Sequence, residues 1–344
     1  MDFPILSLLI LIPLIGAVIT LLMGGSRQRA AKMVAGVFSA ITLVLAVFLL
    51  LNSGDFGSMA ERYAWIKTDF INISFSLAID GLSVLMVFLT SLLVFLVVVF
   101  SSEEEEIETD KPNYYHTLLL AMEVGLMGVY MASDYFLFYI MWEVTLIPMF
   151  FMISWYGGPR RHYAAIKFFI YTHVASLVML IGIFAMGFEA AELTGGAIDF
   201  SFASIAAAMH GADQAFQALV FALLFFGFAV KMPAVPFHTW LPDAHTEAPT
   251  GGSVLLAGVM LKMGSYGIIR INLEVLPLGA ADWQWVLIIM GILAAVYGAY
   301  ACIAQRDLKK MVAYSSISHM GLVMMAMGFL SDIGIQFAVF QMFA

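Results

Sequence analysis

Long apolar segments recur along the whole chain and are separated by shorter polar connections. A run of about 20 apolar residues can cross the hydrocarbon core of a bilayer as an α-helix. Ten segments meet this description. They are residues 3–24, 30–51, 82–101, 114–132, 134–156, 164–189, 215–238, 247–270, 283–303 and 308–329. The pattern therefore predicts a protein that crosses a membrane ten times.

An eleventh apolar segment begins near Ile333 and stops at Ala344, the last residue of the sequence. As a helix it would rise only about 18 Å, against a hydrocarbon core of about 30 Å. We therefore expect that this segment does not span the membrane. It is either a re-entrant stub or the start of a helix in a longer protein, and the second interpretation is favoured.

Composition supports an all-α polytopic membrane protein. Hydrophobic residues make up 62% of the chain and charged residues 11%, whereas soluble domains are about 25% charged. The first segment lacks the basic start and the small-residue cleavage site of a signal peptide, so it is predicted to be a retained helix. The longest connections, 52–81 and 190–214, are too short for a soluble domain, so we expect one membrane domain.

The sequence excludes several kinds of chemistry. The single cysteine, Cys302, cannot form an intrachain disulfide, a CxxC redox pair or a cysteine-ligated iron–sulfur cluster. Neither a GxGxxG nor a GxxxxGK[ST] motif occurs, so there is no nucleotide-binding signature. The net charge of −9 says little about partners, because much of it comes from the acidic run Glu103–Glu106 with Glu108 and Asp110, which is predicted to be a solvated loop.

The basic residues predict an orientation, because cytoplasmic loops of membrane proteins are enriched in lysine and arginine. With ten spans, the connections alternate between two sides. One side holds Arg27, Arg29, Lys32, Lys111, Arg160, Arg161, Arg306, Lys309 and Lys310, and the other holds Arg62, Lys67 and Arg270. The first side is predicted to be cytoplasmic, which places the N-terminus outside a prokaryotic plasma membrane.

Titratable residues lie inside the predicted spans, where a charge at the bilayer centre costs about 2.5–3.5 kcal/mol. They are Glu123, Glu143, Lys231, Lys262 and His319. Glu143 is the predicted partner of Lys231, and Glu123 is the candidate partner of Lys262. Burial and a second positive charge both disfavour the protonated form of an amine, so buried lysines can carry protons. The alternative is a purely structural salt bridge between helices.

Prolines interrupt backbone hydrogen bonding in the same spans. Pro148 lies in the fifth span, while Pro233 and Pro236 free the carbonyls of Ala229 and Met232 in the seventh. A freed carbonyl at membrane depth needs a partner, and ordered water beside a titratable side chain would support proton transfer. For each proline taken alone, a packing kink is the alternative.

Histidines close to the end of the seventh span raise the question of a metal site. His238 and His245 flank Asp243, but their spacing is not a standard ligand pattern, and Pro242 interrupts any regular element. We therefore expect no metal. Asp243 is expected to orient one of the histidines, within a loop that dips into the helix bundle.

Two further polar residues lie in the sixth span. His173 is either a hydrogen-bonded interior residue or a member of a proton relay. Lys167 lies about one turn inside the span, where its long side chain could reach the interface. Both interpretations stay open for each residue.

Five stretches of the sequence resemble the antiporter-like subunits of respiratory complex I. They are LAIDGLSVLM (77–86), FYIMWEVTLIPMFFMI (138–153), KFFIYTHVASLVMLI (167–181), FAVKMPAVPFHTWLPDAHTEAPTGGSVLLAGVMLKMGSYGIIR (228–270) and DLKKMVAYSSISHMGLV (307–323). The resemblance is strongest to the M-type subunit, called subunit 4 in mitochondria, and it covers all 344 residues. The same fold serves archaeal deazaflavin-dependent dehydrogenases, membrane-bound hydrogenases and multisubunit sodium/proton antiporters.

The resemblance implies an antiporter-like fold of about fourteen helices with two five-helix bundles in inverted relation. Residues 1–113 would form the first three helices. Residues 114–270 would form the complete first bundle, with a broken seventh helix, and 283–344 the incomplete start of the second. The family continues into another histidine and a second broken helix that carries the exit lysine or glutamate, so the exit residue is not assigned.

The resemblance also implies residue roles. Glu143 matches the glutamate that pairs with the lysine of the broken helix, and Lys231 matches that lysine. Lys262 matches the central lysine of the proton relay, and His319 a histidine between this lysine and the exit side. Glu123 resembles a glutamate of the fourth helix. These five residues are the predicted proton-translocation residues, and the supporting residues are Pro148, Pro233, Pro236, His238 and Asp243.

The implied function is that of a proton-translocating subunit, without its own redox centre, in a complex I-like NADH (or related donor):quinone oxidoreductase. This chain is expected to bind no cofactor, while quinone, flavin and iron–sulfur clusters are expected in partner subunits. The expected partners are other antiporter-like subunits, quinone-site subunits and the lipid bilayer, with no nucleic acid. The alternative is a subunit of a multisubunit sodium/proton antiporter.

Overall fold

The computed structural model describes residues 4–24, 27–52, 59–101 and 114–344. The helices are α1 (Ile5–Met23), α2 (Gln28–Leu51), α3 (Gly81–Phe100), α4 (Tyr115–Met131), α5 (Tyr135–Tyr156), α6 (Arg161–Thr194), α7 (Phe202–Met209), α8 (Gln214–Lys231), α9 (Trp240–Glu247), α10 (Thr250–Leu255), α11 (Leu261–Gly267), α12 (Pro277–Ile303), α13 (Leu308–Gly328) and α14 (Asp332–Phe343). The strands are β1 (Glu61–Lys67), β2 (Ile71–Leu77) and β3 (Ile198–Asp199). The acidic run Glu103–Glu106, with Glu108 and Asp110, lies outside the described residues.

The helices confirm a multi-span membrane protein. Within the described ranges, nine helices are long and apolar enough to cross a membrane. One of them is the continuous helix Thr250–Leu273, which includes α10, α11 and two π-helical stretches, Leu256–Met260 and Ile268–Leu273. The remaining predicted span is α4, whose 17 residues are at the short end of what a bilayer requires. The eleventh apolar segment forms the 12-residue helix α14.

Several span boundaries differ from the prediction, and two of the differences have clear local causes. Helix α6 runs for 34 residues to Thr194 and is followed by Gly195, whose φ of 66° is a left-handed conformation typical of the residue after a helix end. Helix α8 ends at Lys231 rather than at His238, because Pro233 cannot continue the hydrogen-bond ladder. The broken seventh helix is therefore present, and the charged residue lies at the break.

One end of the bundle is covered by a three-stranded sheet. Strands β1 and β2 pair antiparallel, and β2 pairs with the short β3 in parallel. The Ala78 amide donates to the Met131 carbonyl, and the Tyr135 amide donates to the Phe200 carbonyl, both at 2.8 Å. The connections α2–α3, α4–α5 and α6–α7 therefore meet on one side, which we call the sheet side.

The connections on the opposite side also contact one another. The Gly158 amide donates to the Glu247 carbonyl at 2.8 Å, and Lys309 Nζ donates to the Ala248 carbonyl at 2.9 Å. These contacts join the connections α5–α6, α9–α10 and α12–α13. The six connections named here therefore lie on the sides that the predicted alternation gives them. Which side is cytoplasmic stays a prediction, as does the division into 1–113, 114–270 and 283–344.

Helices α12 and α13 cross closely through glycines. A β-carbon at Gly321 would lie 2.7 Å from the Gly291 carbonyl oxygen, and one at Gly298 would lie 2.7 Å from the Ser318 backbone nitrogen. Small residues at such crossings let two membrane helices pack backbone to backbone. The close crossing fixes the position of α13, which carries His319 and also packs against α9.

Gly321→Ala is expected to lower the free energy of unfolding by about 1–3 kcal/mol, because the new methyl group must push α12 and α13 apart. The matched control is Gly36→Ala in the middle of α2, where the added β-carbon would meet only Val98 Cγ1, at 4.0 Å. Thermal unfolding of the purified protein in detergent, followed by tryptophan fluorescence, measures both. Equal midpoints for the two variants would contradict the close crossing.

Candidate functional site

Lys231 is the last residue of α8 and only 2% of its surface is exposed. Beyond it the chain turns and satisfies part of its own backbone. The Ala234 amide donates to the Ala229 carbonyl at 2.8 Å, and the Trp240 indole donates to the Val230 carbonyl at 2.9 Å. The expectation that the freed Ala229 carbonyl needs water is therefore wrong, because the amide of Ala234, five residues later, supplies the donor.

Aromatic rings surround the Lys231 ammonium group. Its Nζ lies 5.5 Å from the centroid of the Trp142 ring and 5.8 Å from that of Phe168. Both rings are buried. A cation within about 6 Å of an aromatic face is attracted to the negative face of the ring, most strongly where water is excluded. Sequence reasoning did not identify Trp142 or Phe168 as part of the site.

Glu143 contacts a histidine rather than the lysine predicted for it. Glu143 Oε2 lies 2.9 Å from His173 Nδ1 on the neighbouring helix α6. No Glu143–Lys231 ion pair within 4.0 Å is present between these two described residues. Glu143 is nevertheless next to Trp142 on α5, and the Trp142 ring centroid lies 5.5 Å from Lys231 Nζ. The predicted contact between Glu143 and Lys231 is thus not formed in this structure, because Glu143 is bonded to His173.

A signal for the Glu143–His173 contact was present in the sequence. Helices α5 and α6 run antiparallel on either side of a short turn. Residues equally distant from such a turn lie at the same depth in the membrane. Glu143 precedes Gly158 by fifteen residues, and His173 follows it by fifteen. Matching depths across the short connection would have favoured the hydrogen-bonded interpretation of His173.

Lys262 and His319 line the same cavity, although they come from different helices. The cavity has a volume of about 310 Å³, and its wall includes Ser316 and Gln341. Lys262 Nζ donates to the Ala257 carbonyl at 2.9 Å, inside the π-helical stretch that precedes it. A cavity of this size that is lined in part by polar side chains has room for several water molecules. The structure therefore joins two of the predicted relay residues through a space that water can fill.

Glu123 does not contact Lys262. Its side chain is fully buried in α4, and neither carboxylate oxygen has a hydrogen-bond partner among the described residues. The expected pairing of Glu123 with Lys262 is therefore absent, since Lys262 donates to Ala257 instead. An ionised carboxylate without a partner in such surroundings is costly.

Asp243 does not orient a histidine, contrary to the prediction. Asp243 Oδ2 lies 2.7 Å from Lys167 Nζ, and Asp243 Oδ1 lies 3.6 Å from Arg160 Nη2. Arg160 also contacts Glu247 on α9. Both cations lie at the start of α6, close enough to Asp243 to form ion pairs with its carboxylate. Lys167 is thus held by an ion pair and does not extend freely to the interface.

The two histidines of the broken segment are buried without a partner for their Nδ1 atoms. His238 packs edge-on against Tyr297, with ring centroids 4.9 Å apart. Most side chains of α9 are also buried, so the segment dips into the bundle as predicted. Among the described residues there is no group of three or more His, Cys, Asp or Glu side chains that could hold a metal ion.

The prolines lie where the sequence places them. Pro148 is inside α5, and Pro233 and Pro236 lie in the turn between α8 and α9.

The titratable residues form two groups. Glu143, Lys231 and His173 are close together, while Lys262 and His319 form a second group. The two groups are on neighbouring helices, because α8, which carries Lys231, packs against α11, which carries Lys262.

The sequence that carries these two groups of residues matches a known protein family. The family model described as NADH:quinone oxidoreductase/Mrp antiporter, TM, matches residues 132–344. This chain belongs to that family. The match contains every residue discussed above as part of the two groups.

Individual relatives are similar to nearly the whole chain. This chain is 39% identical over 346 residues to F(420)H(2) dehydrogenase subunit M of Methanosarcina mazei, and it covers 68% of that protein. It is 39% identical to NAD(P)H-quinone oxidoreductase chain 4 1 of Nostoc sp. and 36% identical to NADH-quinone oxidoreductase subunit M of Rickettsia typhi, and covers 62% and 69% of them. In each case the match includes 99% of this chain.

Solved structures confirm the antiporter-like fold. A chain of respiratory complex I from Thermus thermophilus superposes with a TM-score of 0.85 at 26% identity, over 98% of this chain and 68% of the other. A chain of the Mrp complex from Dietzia sp. superposes with a TM-score of 0.84 at 22% identity, over 100% of this chain and 62% of the other. The second similarity, at this level of identity, shows the fold alone.

Proposed function

We propose that this chain is a proton-translocating membrane subunit of a complex I-like, redox-driven complex. Family membership and the names of the relatives, which are subunits of NADH-quinone, NAD(P)H-quinone and F(420)H(2) oxidoreductases, support the proposal. Protons would move through glutamate, lysine and histidine side chains of the membrane helices and through water, without a redox centre in this chain.

The observation that carries the proposal is the cavity shared by Lys262 and His319. A titratable amine and an imidazole from two separate membrane helices face one space that can hold water. Proton transfer over such distances requires groups that bind and release protons, with water between them. A purely structural lysine would instead be expected to have an acidic partner, and Lys262 has a backbone carbonyl.

The proposed order of transfer begins at Lys231, continues to Lys262 and ends, within this chain, at His319. Glu143 acts on the first lysine electrostatically. The break after Lys231 and the packing of α8 against α11 support this order, because they connect the first group to the second. Glu123, fully buried in α4, is proposed as a further proton-holding residue.

Cofactors are proposed to lie in other subunits. A single cysteine cannot ligate a four-cysteine iron–sulfur cluster. We therefore assign flavin, iron–sulfur clusters and the quinone site to partner subunits, beside other antiporter-like subunits.

The proposed location is a prokaryotic plasma membrane, with the sheet side and the N-terminus of α1 outside. The distribution of lysine and arginine supports this orientation.

The alternative, a subunit of a multisubunit sodium/proton antiporter, has less support. The Mrp complex shares the fold at 22% identity, whereas the relatives named above are 36–39% identical and carry oxidoreductase names. No contact in the described residues favours sodium over a proton.

Lys262→Ala is expected to reduce proton translocation about tenfold or more in membrane vesicles that contain the assembled complex, because the central acceptor of the relay is lost. The discriminating variant is Lys262→Arg. Arginine keeps the positive charge but does not release its proton near neutral pH. Translocation would be measured with a pH-sensitive dye during turnover with the electron donor of the complex. Normal translocation by the arginine variant would indicate a structural lysine and would reject the proposal.

A further inference from the structure

The Glu143–His173 contact lies in the middle of two membrane helices and is only partly shielded. The side chain of Glu143 is 23% exposed and that of His173 is 37% exposed. Glu143 uses Oε2 for the 2.9 Å contact with His173 Nδ1. Its other oxygen, Oε1, is buried and has no hydrogen-bond partner. The carboxylate is therefore bonded on one side only, and it retains an acceptor for a second donor.

While Glu143 is bonded to His173, the Lys231 ammonium group contacts aromatic rings instead of a carboxylate. The faces of Trp142 and Phe168 lie within 6 Å of Nζ. Phe168 is in turn packed against Trp240, with ring centroids 5.4 Å apart, and the Trp240 indole is fixed by the Val230 carbonyl. Aromatic faces stabilise an ammonium ion but accept no proton. These rings therefore position the lysine side chain, but they stabilise its protonated form less than a carboxylate in an ion pair would.

In this structure Glu143 is bonded to His173 and does not contact Lys231. Trp142 and Glu143 are adjacent on α5, so the ring that faces Lys231 and the carboxylate that acts on it share one backbone segment. A carboxylate whose partner is His173 is drawn toward α6 and is more than 4.0 Å from Lys231 Nζ. Glu143 has two possible partners on two helices, and the described contacts show it with one of them.

We propose that His173 is the second partner of Glu143, and that Glu143 exchanges between His173 and Lys231 during proton transfer. With Glu143 on His173, which donates its Nδ1–H, the Lys231 proton has no carboxylate to hold it and is released to water. With Glu143 returned to Lys231, the ammonium form is retained. No bond other than the lysine N–H is broken, and the carboxylate stays ionised throughout. The inference rests on the proposed function, since it names the partner that opens the Glu143–Lys231 pair.

The test uses three variants of the complete subunit in the assembled complex. His173→Leu removes the second partner, so Glu143 remains on Lys231, and proton translocation is expected to fall about tenfold. His173→Gln keeps a hydrogen-bond donor and is expected to restore at least about half of the translocation. His162→Leu is the matched control, because His162 is another α6 histidine, 3.4 Å from Ser154 Oγ, and it is expected to leave translocation unchanged.

The outcomes separate this inference from the proposed function. Normal translocation by His173→Leu, together with loss in Lys231→Ala, would overturn the role of His173 and keep the function. Equal losses in His173→Leu, His173→Gln and His162→Leu would also overturn it, because they would indicate a general effect on α6. Normal translocation by Lys231→Ala would reject the proposed function itself. If His173→Leu prevents assembly, the result with His173→Gln decides: translocation near the wild-type level supports the exchange, and translocation near background overturns it.

Discussion

Lys231→Ala is expected to reduce proton translocation by the assembled complex to background, a loss of about a hundredfold. The lysine is the last residue before the break of the seventh helix, it is 2% exposed, and its ammonium group lies within 6 Å of two aromatic ring centroids. Alanine leaves the rings without a cation and the relay without its first acceptor. Protons translocated per electron would be measured in membrane vesicles with a pH-sensitive dye.

Two variants make the result on Lys231 specific. Lys67→Ala removes an exposed lysine from β1 on the sheet side and is expected to have no effect. Lys231→Met keeps an unbranched side chain between Trp142 and Phe168, so it preserves packing without a proton-binding group. An unchanged proton-to-electron ratio in the methionine variant would indicate that the lysine is structural and would exclude it as the entry residue.

Asp134→Ala is expected to lower the free energy of unfolding by about 2–5 kcal/mol, because it removes a helix cap and leaves buried donors without acceptors. The carboxylate is fully buried. One oxygen accepts from the Phe136 and Leu137 amides at 2.9 and 3.2 Å, and the other accepts from the Ser74 amide at 3.0 Å. It therefore fastens strand β2 to the start of α5. The thermal unfolding midpoint of the purified protein in detergent would measure the loss.

The matched control for Asp134 is Asp213, which begins α8 in the same way. Asp213 is exposed and accepts only from the Ala215 amide, at 3.0 Å. Asp213→Ala is expected to cost about 1 kcal/mol or less, the value of a cap alone. Asp134→Asn should have an intermediate effect, because its amide group faces the Ser74 donor. Similar midpoints for the two alanine variants would show that burial of Asp134 adds nothing to its cap.

The helices were the most predictable part of the fold. Each of the ten predicted spans corresponds to a helix, because a span is defined by a local property, a run of apolar residues of sufficient length. The break after Lys231 also followed from local chemistry, since Pro233 lacks an amide hydrogen. The strands β1 and β2 were not predicted. They lie in the 52–81 connection, whose length alone predicts no strand, although the residues of β2 alternate between apolar and polar.

The site residues stay predictions, whereas several of their predicted contacts are absent from the structure. The sequence identified Glu143, Lys231, Lys262 and His319 because charged and polar residues are rare in apolar spans. It did not identify the partners. Asp243 is paired with Lys167 rather than with a histidine, and Glu143 with His173 rather than with Lys231.

Lys231 illustrates what the sequence determines and what only the tertiary structure determines. The sequence by itself determined that a charge lies inside the membrane at a break in a helix, because both the apolar run and the proline act on neighbouring residues only. The tertiary structure decided that this charge faces Trp142 and Phe168 while its predicted partner is bonded to His173. Such contacts depend on how α5, α6 and α8 are rotated and packed. That arrangement is set by many weak contacts across the whole bundle rather than by any short stretch of sequence.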